Sequence, residues 1–336
     1  MKLQLVCLFV SIACAFATPI LNVDHEWSNF KLKHGKEYAT PDEETKRQTI
    51  FTQSLKLIEE HNKKYEEGLV TFSLSVNQFS DMSDEEISMR KGLLPEANFK
   101  DLGIQAKQFQ RPENPDLPNE LDWNAKGAVT PIKNQGACES CWAFSTTGTL
   151  EGAYFLKTGQ LTELSEKNLM DCAGPEYGSN SCHRGTYVGA LVYVSENGGI
   201  DSEESYPYHP VDGECHYDAK DNVFKNVSIK NIYYTEPDNE VDLKIALATM
   251  GPIAIAIDSS DRAFQLYKEG VYYNKHCGSV DHGVLLVGYG TENGIDYWLI
   301  KNSWGEEWGN KGFGKMARNR CSNCGIASIP FFAELS

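Results

Sequence analysis

Four side chains in this sequence have types and settings that could do covalent chemistry together: Gln135, Cys141, His282 and Asn302. Cys141 ends the run Gln135-Gly136-Ala137-Cys138-Glu139-Ser140-Cys141 and opens a segment, Cys141 to about Lys157, whose pattern predicts a helix. A thiol there sits at the positive end of a helix dipole, beside backbone N–H groups that have no partner within the helix. Both features favour the thiolate, the form that attacks carbon. Gln135 lies on the incoming loop, where its side-chain amide could join the Cys141 backbone N–H in holding an oxyanion. Taken alone, Cys141 reads equally well as a half-cystine in a cysteine-rich region.

His282 stands at the mouth of an apolar strand, with small Gly283 beside it, so a base there would be rigid and open to approach. Asn302 follows another strand in Lys301-Asn302-Ser303-Trp304-Gly305. Its amide oxygen can accept from one ring nitrogen of the histidine and leave the other free for the thiol. Trp304 would shield that bond from water. Each of these residues has a bland reading by itself; it is the set, in one chain, that points to nucleophilic catalysis.

The elements that must hold this set come from the remaining pattern. Helical periodicity covers Trp27, Phe30 and Lys31, then Asp42 to Tyr65, where Ile50, Phe51, Leu55, Leu57 and Ile58 make a stripe. Pro41 before three acidic residues predicts a helix start, and Leu69–Phe79 alternates like a strand. Residues 93–116 are proline-rich and predict a linker. From Leu117 a helix-rich stretch gives way to strand-like runs at Ile253–Ile257, Val284–Tyr289, Tyr297–Ile300 and Phe313–Met316. Helices first and strands later predict an α+β domain of two packed subdomains with a cleft between them.

The chain has 336 residues, enough for more than one core. Its formal net charge of −16 argues against nucleic-acid binding, which wants a basic face. One lysine, a short apolar run and Ala15-Phe16-Ala17 predict a signal peptide over residues 1–17, and no later run is long and apolar enough to span a membrane. Of ten cysteines, Cys7 and Cys14 would leave with the signal; the other eight all follow residue 137. That clustering in an exported chain predicts disulfides in one domain and none in the segment before it. No recurrent cysteine pair has zinc spacing, and neither a metal nor a cofactor is expected.

Together these segments resemble the papain and cathepsin L family of cysteine proteases, whose cysteine signature is established. The resemblance runs through DWNAKGAVTPIKNQG (122–136), CWAFS (141–145), SYPY (205–208), DHGVLLVGYG (281–290) and DYWLIKNSWGEEWG (296–309). It implies a papain-like fold with a helical half and a β-barrel-like half. It also implies Cys141 as nucleophile, His282 as its imidazolium partner, Asn302 as the orienting group and Gln135 as the oxyanion donor, in an endopeptidase working through a thioester. An inhibitory propeptide is implied over 18–116, helical over about 24–92, with the peptidase over 117–336. Glu43, Arg47, Phe51, Ile58 and Asn62 fit the propeptide's helical pattern, with Ser54 where the family has Asn; Asn77, Phe79 and Asp81 fit a second pattern, with Ser75 where it has Gly. Such a propeptide blocks the cleft in reverse orientation, and acid would release it by protonating carboxylates in its ion pairs.

The same resemblance pairs Cys138 with Cys182, Cys172 with Cys215 and Cys277 with Cys324, leaving Cys321 as an extra thiol. It places the main specificity pocket at Thr186, Tyr187, Ala256, Gly283 and Ile329, with Gly185 pairing with substrate backbone. No acid lines that pocket, so an aliphatic or aromatic substrate residue is expected two positions before the cut. The sequence departs from the family at Glu139 and Arg184, where relatives usually carry Gly. An ion pair between them would narrow the primary pocket; two separate solvent-facing charges are the alternative. Asn226-Val227-Ser228 is a glycosylation sequon. The expected partners are protein and peptide substrates and the chain's own propeptide, for a monomer in the secretory pathway, lysosomal or extracellular. The competing function is a catalytically weak homologue that binds or inhibits, motivated by the changes at 139 and 184.

Overall fold

The computed structural model describes residues 23–94 and 105–336. The expected signal peptide lies outside the described residues. Two helices open the described chain, α1 (Val23–His34) and α2 (Pro41–Glu66). Thr40 caps α2 by accepting from the Glu43 N–H, Pro41 sits in its first turn, and acidic residues fill that turn, as the helix dipole favours. Trp27, Phe30, Phe51 and Leu55 are the small apolar core where these helices cross.

β1 follows (Phe72–Leu74), then α3 (Asp84–Ser88), closed by a reciprocal cap between Ser83 and Glu86. β1 is shorter than the strand expected over Leu69–Phe79. The Asn77 side chain accepts from the Phe79 N–H and the Asn77 N–H donates to Ser80 Oγ, which turns the chain there. The segment expected as a plain linker is also structured in part. Its β2 (Lys107–Gln108) pairs with the strand Ile229–Tyr234, and the next residue, Phe109, is buried against Phe332.

The C-terminal part begins with β3 (Leu121–Asp122) and α4 (Cys141–Thr158), a helix buried along most of its length. Then come α5 (Glu166–Cys172), α6 (Tyr187–Asn197), β4 (Ile229–Tyr234), α7 (Glu240–Met250), β5 (Ile253–Ile257) and α8 (Arg262–Gln265). The last elements are β6 (Tyr267–Tyr272), β7 (His282–Glu292), β8 (Ile295–Lys301), β9 (Phe313–Ala317) and β10 (Phe331–Leu335). One apolar cluster lies under the strands of β5, β7 and β8; a second joins α4, α6 and β10.

This is the expected α+β, two-part arrangement, and its sheet is open rather than closed into a barrel. The strand order is β1-β6-β9-β8-β7-β5-β10-β4-β2, with β3 on β7. Both outer strands, β1 and β2, precede residue 117, so the sheet built from the residues after it ends at β6 and β4. The three expected disulfides join, Cys138–Cys182, Cys172–Cys215 and Cys277–Cys324, and Cys321 is a free, exposed thiol. Asn226 is exposed on a turn.

Candidate active site

The first residue of α4 meets the first residues of β7. The Gly283 N–H donates to Cys141 Sγ at 3.3 Å, which sets His282 beside the nucleophile-bearing turn. His282 is fully buried; its Nε2 donates to Asn302 Oδ1 at 2.8 Å, and the Trp304 ring stacks on it at 4.7 Å. Asn302 Oδ1 also accepts from the Ser303 N–H at 2.8 Å, so the orienting oxygen is fixed from two sides. Gln135 is held by its oxygen, which accepts from Ser303 Oγ at 2.6 Å, leaving its Nε2 to donate to the Cys138 carbonyl at 2.8 Å. The structure thus brings Cys141, His282, Asn302 and Gln135 into one site.

The prosegment lies across this site. Gln135 Nε2 also donates to the Arg90 carbonyl at 3.2 Å, and the Gly92 N–H donates to Cys141 Sγ at 3.2 Å. Beyond Gly92 the chain pairs with Gly185: the Gly185 N–H donates to the Gly92 carbonyl at 2.9 Å, and the Leu94 N–H to the Gly185 carbonyl at 3.0 Å. The bridge between Leu93 and Gly185 is parallel. Gly185 must be glycine, because a Cβ there would come within 2.5 Å of the Trp142 ring. Gly92 is equally constrained, since its Cβ would fall 1.7 Å from the Glu139 carbonyl oxygen.

Leu93 is buried in the apolar cluster that holds Tyr187 and Ala256, with Ile329 and Val280 packed against it. Burying one such side chain contributes about 2 kcal/mol. Thr186 caps α6 by accepting from the Gly189 N–H, and the Tyr187 hydroxyl donates to the Ile329 carbonyl. Leu93 thus shares one apolar cluster with three of the five expected pocket residues, Tyr187, Ala256 and Ile329. Glu139 and Arg184 are 3.5 Å apart, so the ion pair forms. Arg184 adopts φ +75°, the left-handed region that favours glycine.

Burial disfavours the charged form of both reacting groups. It pushes the Cys141 thiol up to about 12, against the pull of the Gly283 and Gly92 N–H groups. It pushes His282 down to about 4, against the upward pull of Asn302 and Asp281. The residues that sequence reasoning missed are in the cap itself: Arg90, Gly92 and Leu93. Only the apolar pair Leu93-Leu94 after a glycine could have signalled them.

A thiol at a helix start and a histidine at the start of the strand whose next residue bonds that thiol, both buried beneath a covering segment, define a cysteine protease held closed. Residues 117–333 match the model of the papain family of cysteine proteases, and residues 27–87 match the cathepsin propeptide inhibitor domain. The chain belongs to this family: it is a cysteine protease made as a zymogen with its own inhibitory propeptide. It is 45% identical to a cathepsin L-like peptidase of Aedes aegypti over 96% of this chain and 97% of that one. It is 43% identical to human cathepsin L2 over the full length of both. Among solved structures, digestive procathepsin L2 proteinase of Tenebrio molitor superposes with a TM-score of 0.86 at 40% identity, covering 93% of this chain and 99% of that one. The weak-binder alternative is not favoured by these matches.

Proposed function

We propose that Cys141, once uncovered, attacks the scissile carbonyl as a thiolate. The Cys141 backbone N–H and Gln135 Nε2 hold the resulting oxyanion, and His282 gives its proton to the leaving amine. Water then attacks the thioester, the C–S bond breaks, and the acid product departs. Asn302 keeps the ring in place through Nε2, leaving Nδ1 for the sulfur. The observation that carries this reading is the prosegment itself: a peptide carbonyl, that of Arg90, already accepts from Gln135 Nε2 at 3.2 Å, two residues before Gly92, whose N–H bonds the sulfur. The prosegment runs parallel to Gly185 there. A substrate running the opposite way would pair antiparallel and turn its own carbonyl carbon to the sulfur.

Removing the prosegment readmits water, which lifts the burial cost from both groups; the helix dipole at Cys141 then favours the thiolate. Thr186, Tyr187, Ala256, Gly283 and Ile329 form the pocket that Leu93 fills in the zymogen, so the substrate's second residue before the cut is aliphatic or aromatic. The Glu139–Arg184 pair borders the residue just before the cut and narrows its site. The mature chain starts near Leu117, acts as a monomer, and carries glycan at Asn226. Residues 1–17 direct it into the secretory pathway, to a lysosome or outside the cell; relatives from Homarus americanus bear the name digestive cysteine proteinase, which favours the second. Cleavage of a peptide library by acid-matured protein, with Cys141→Ala as control, tests this. Cuts with Leu, Val or Phe as the second residue before the cut are expected from the wild type alone. No cleavage, or cleavage best with Arg at that position, would overturn it.

A further inference from the structure

Arg262, at the start of α8, has no part in the chemistry above, yet it is held almost entirely by the prosegment. Its Nη2 donates to Ser54 Oγ and to the Phe79 carbonyl, both at 2.9 Å, and its Nη1 donates to Gln265 Oε1 at 3.1 Å. Only the last of these acceptors belongs to the peptidase. The nearby carboxylates that act on its charge, Asp84 and Asp81, are also prosegment residues. The adjacent Asp261 is committed elsewhere, accepting from the Ala263 N–H, the Tyr272 hydroxyl and Asn274 Nδ2. Ser54 is buried at the position where the family pattern carries Asn. The shorter side chain leaves room for the guanidinium, so the departure in the prosegment and the cation in the peptidase fit one another.

The path of the prosegment shows which side of the cut Arg262 serves. The chain passes the sulfur at Gly92 and continues along Gly185. Before that point it lies on the other side, where the Phe79 ring packs edge-on to Trp304 at 5.3 Å, and Trp304 in turn stacks on His282. The Arg90 guanidinium lies over the same Phe79 ring. A substrate whose first half pairs with Gly185 therefore sends its second half past Trp304 toward Arg262. When the prosegment leaves, Arg90 and Lys91 leave with it, and Arg262 stays behind without a counter-charge. In a chain of net charge −16, an unpaired cation beside the cleft is a local reversal of the general field.

We propose that Arg262 is a specificity-determining residue of the mature enzyme, selecting Asp or Glu within the first four residues after the scissile bond. The proposal rests on the catalytic reading above and adds a substrate class to it. The gain is that of an exposed ion pair, about three- to fivefold in kcat/KM at low ionic strength, fading as salt is added.

The test uses internally quenched peptides with one fixed sequence before the cut and Glu, Gln or Lys at each of four positions after it. They are cleaved by mature wild-type enzyme, Arg262→Ala and Arg262→Lys, at low and high salt. At one position the wild type prefers Glu over Gln, and Gln over Lys, in kcat/KM ratios taken within each enzyme; Arg262→Lys keeps the order and Arg262→Ala loses it. If Arg262→Ala does not fold, the wild-type scan, its salt dependence and Arg262→Lys still decide. An absence of Glu preference in the wild type, or a preference that persists in Arg262→Ala, overturns the proposal. Failure of the wild type to cut even the Gln peptides overturns the catalytic reading, and this proposal with it.

Discussion

The peptidase and the prosegment of this one chain are stabilised by different kinds of force. The peptidase half has two wide apolar clusters and three disulfides. The prosegment's own core has four buried apolar residues, Trp27, Phe30, Phe51 and Leu55, and it adds Phe72, Leu74, Phe79, Ile87 and Leu93 to the peptidase's clusters. Much of the rest is ionic: Arg47 pairs with Glu86 and Glu43, Lys36 and Tyr38 both bond to Asp81, and Lys31 pairs with Glu44. Apolar burial and disulfides are indifferent to protons, whereas carboxylate pairs are not. The difference teaches how one polypeptide can hold a permanent part and a removable part: the removable part is stabilised by the bonds that acid dissolves.

Substitutions in the permanent part should damage chemistry, and those in the removable part should damage restraint. The largest effect is expected from His282→Ala, which should lower kcat/KM of the matured enzyme by about a thousandfold or more while the Tm changes little by comparison. Gly92→Ala comes next. Its methyl group would collide with the Glu139 carbonyl, so the capping strand cannot seat. The isolated prosegment carrying this change should inhibit the mature enzyme about ten- to a hundredfold less tightly, the cost of overpacking a tight contact. An unchanged inhibition constant would mean that the strand does not dock as described.

Glu86→Gln should act on the pH dependence. Arg47 holds the Glu86 carboxyl down at about 2. A depressed folded value means stability that is present above the ordinary carboxylate range and is lost as pH falls from about 5 toward 2. With solvent screening the pair contributes about 1–2 kcal/mol. The variant should therefore release its prosegment at a higher pH, with a shallower dependence below pH 5, measured by the onset of activity. The smallest effect is expected at Arg184→Gly, which relieves a left-handed backbone and should stabilise the mature peptidase by about 0.5–1 kcal/mol, read as a rise in Tm.

The comparison also separates what the sequence discloses from what it hides. Cys141 at the head of a helix, His282 at the head of a strand and Ile253–Ile257 as a strand were legible because local pattern decides each. The Glu139–Arg184 pair was legible because two departures fell on loops tied by one expected disulfide. The capping strand was not. Gly92 to Leu94 has neither period nor length, and its extended form exists only because Gly185 and Asp281 supply hydrogen bonds across more than ninety residues. Lys107–Gln108 was hidden for the same reason: prolines around it read as a linker, and only pairing with β4 makes it a strand. Arg262 gave no signal at all, since a surface arginine becomes notable only when its acceptors are seen to belong to a segment that departs.

Labelling of Cys141 by a thiol-reactive peptidyl epoxide, followed before and after acid maturation, tests the central claim most directly. The account predicts no label at Cys141 while residues 90–94 cover it, and stoichiometric label on that residue once they are gone. Equal labelling of the intact zymogen, or no label in the correctly processed enzyme, would contradict it.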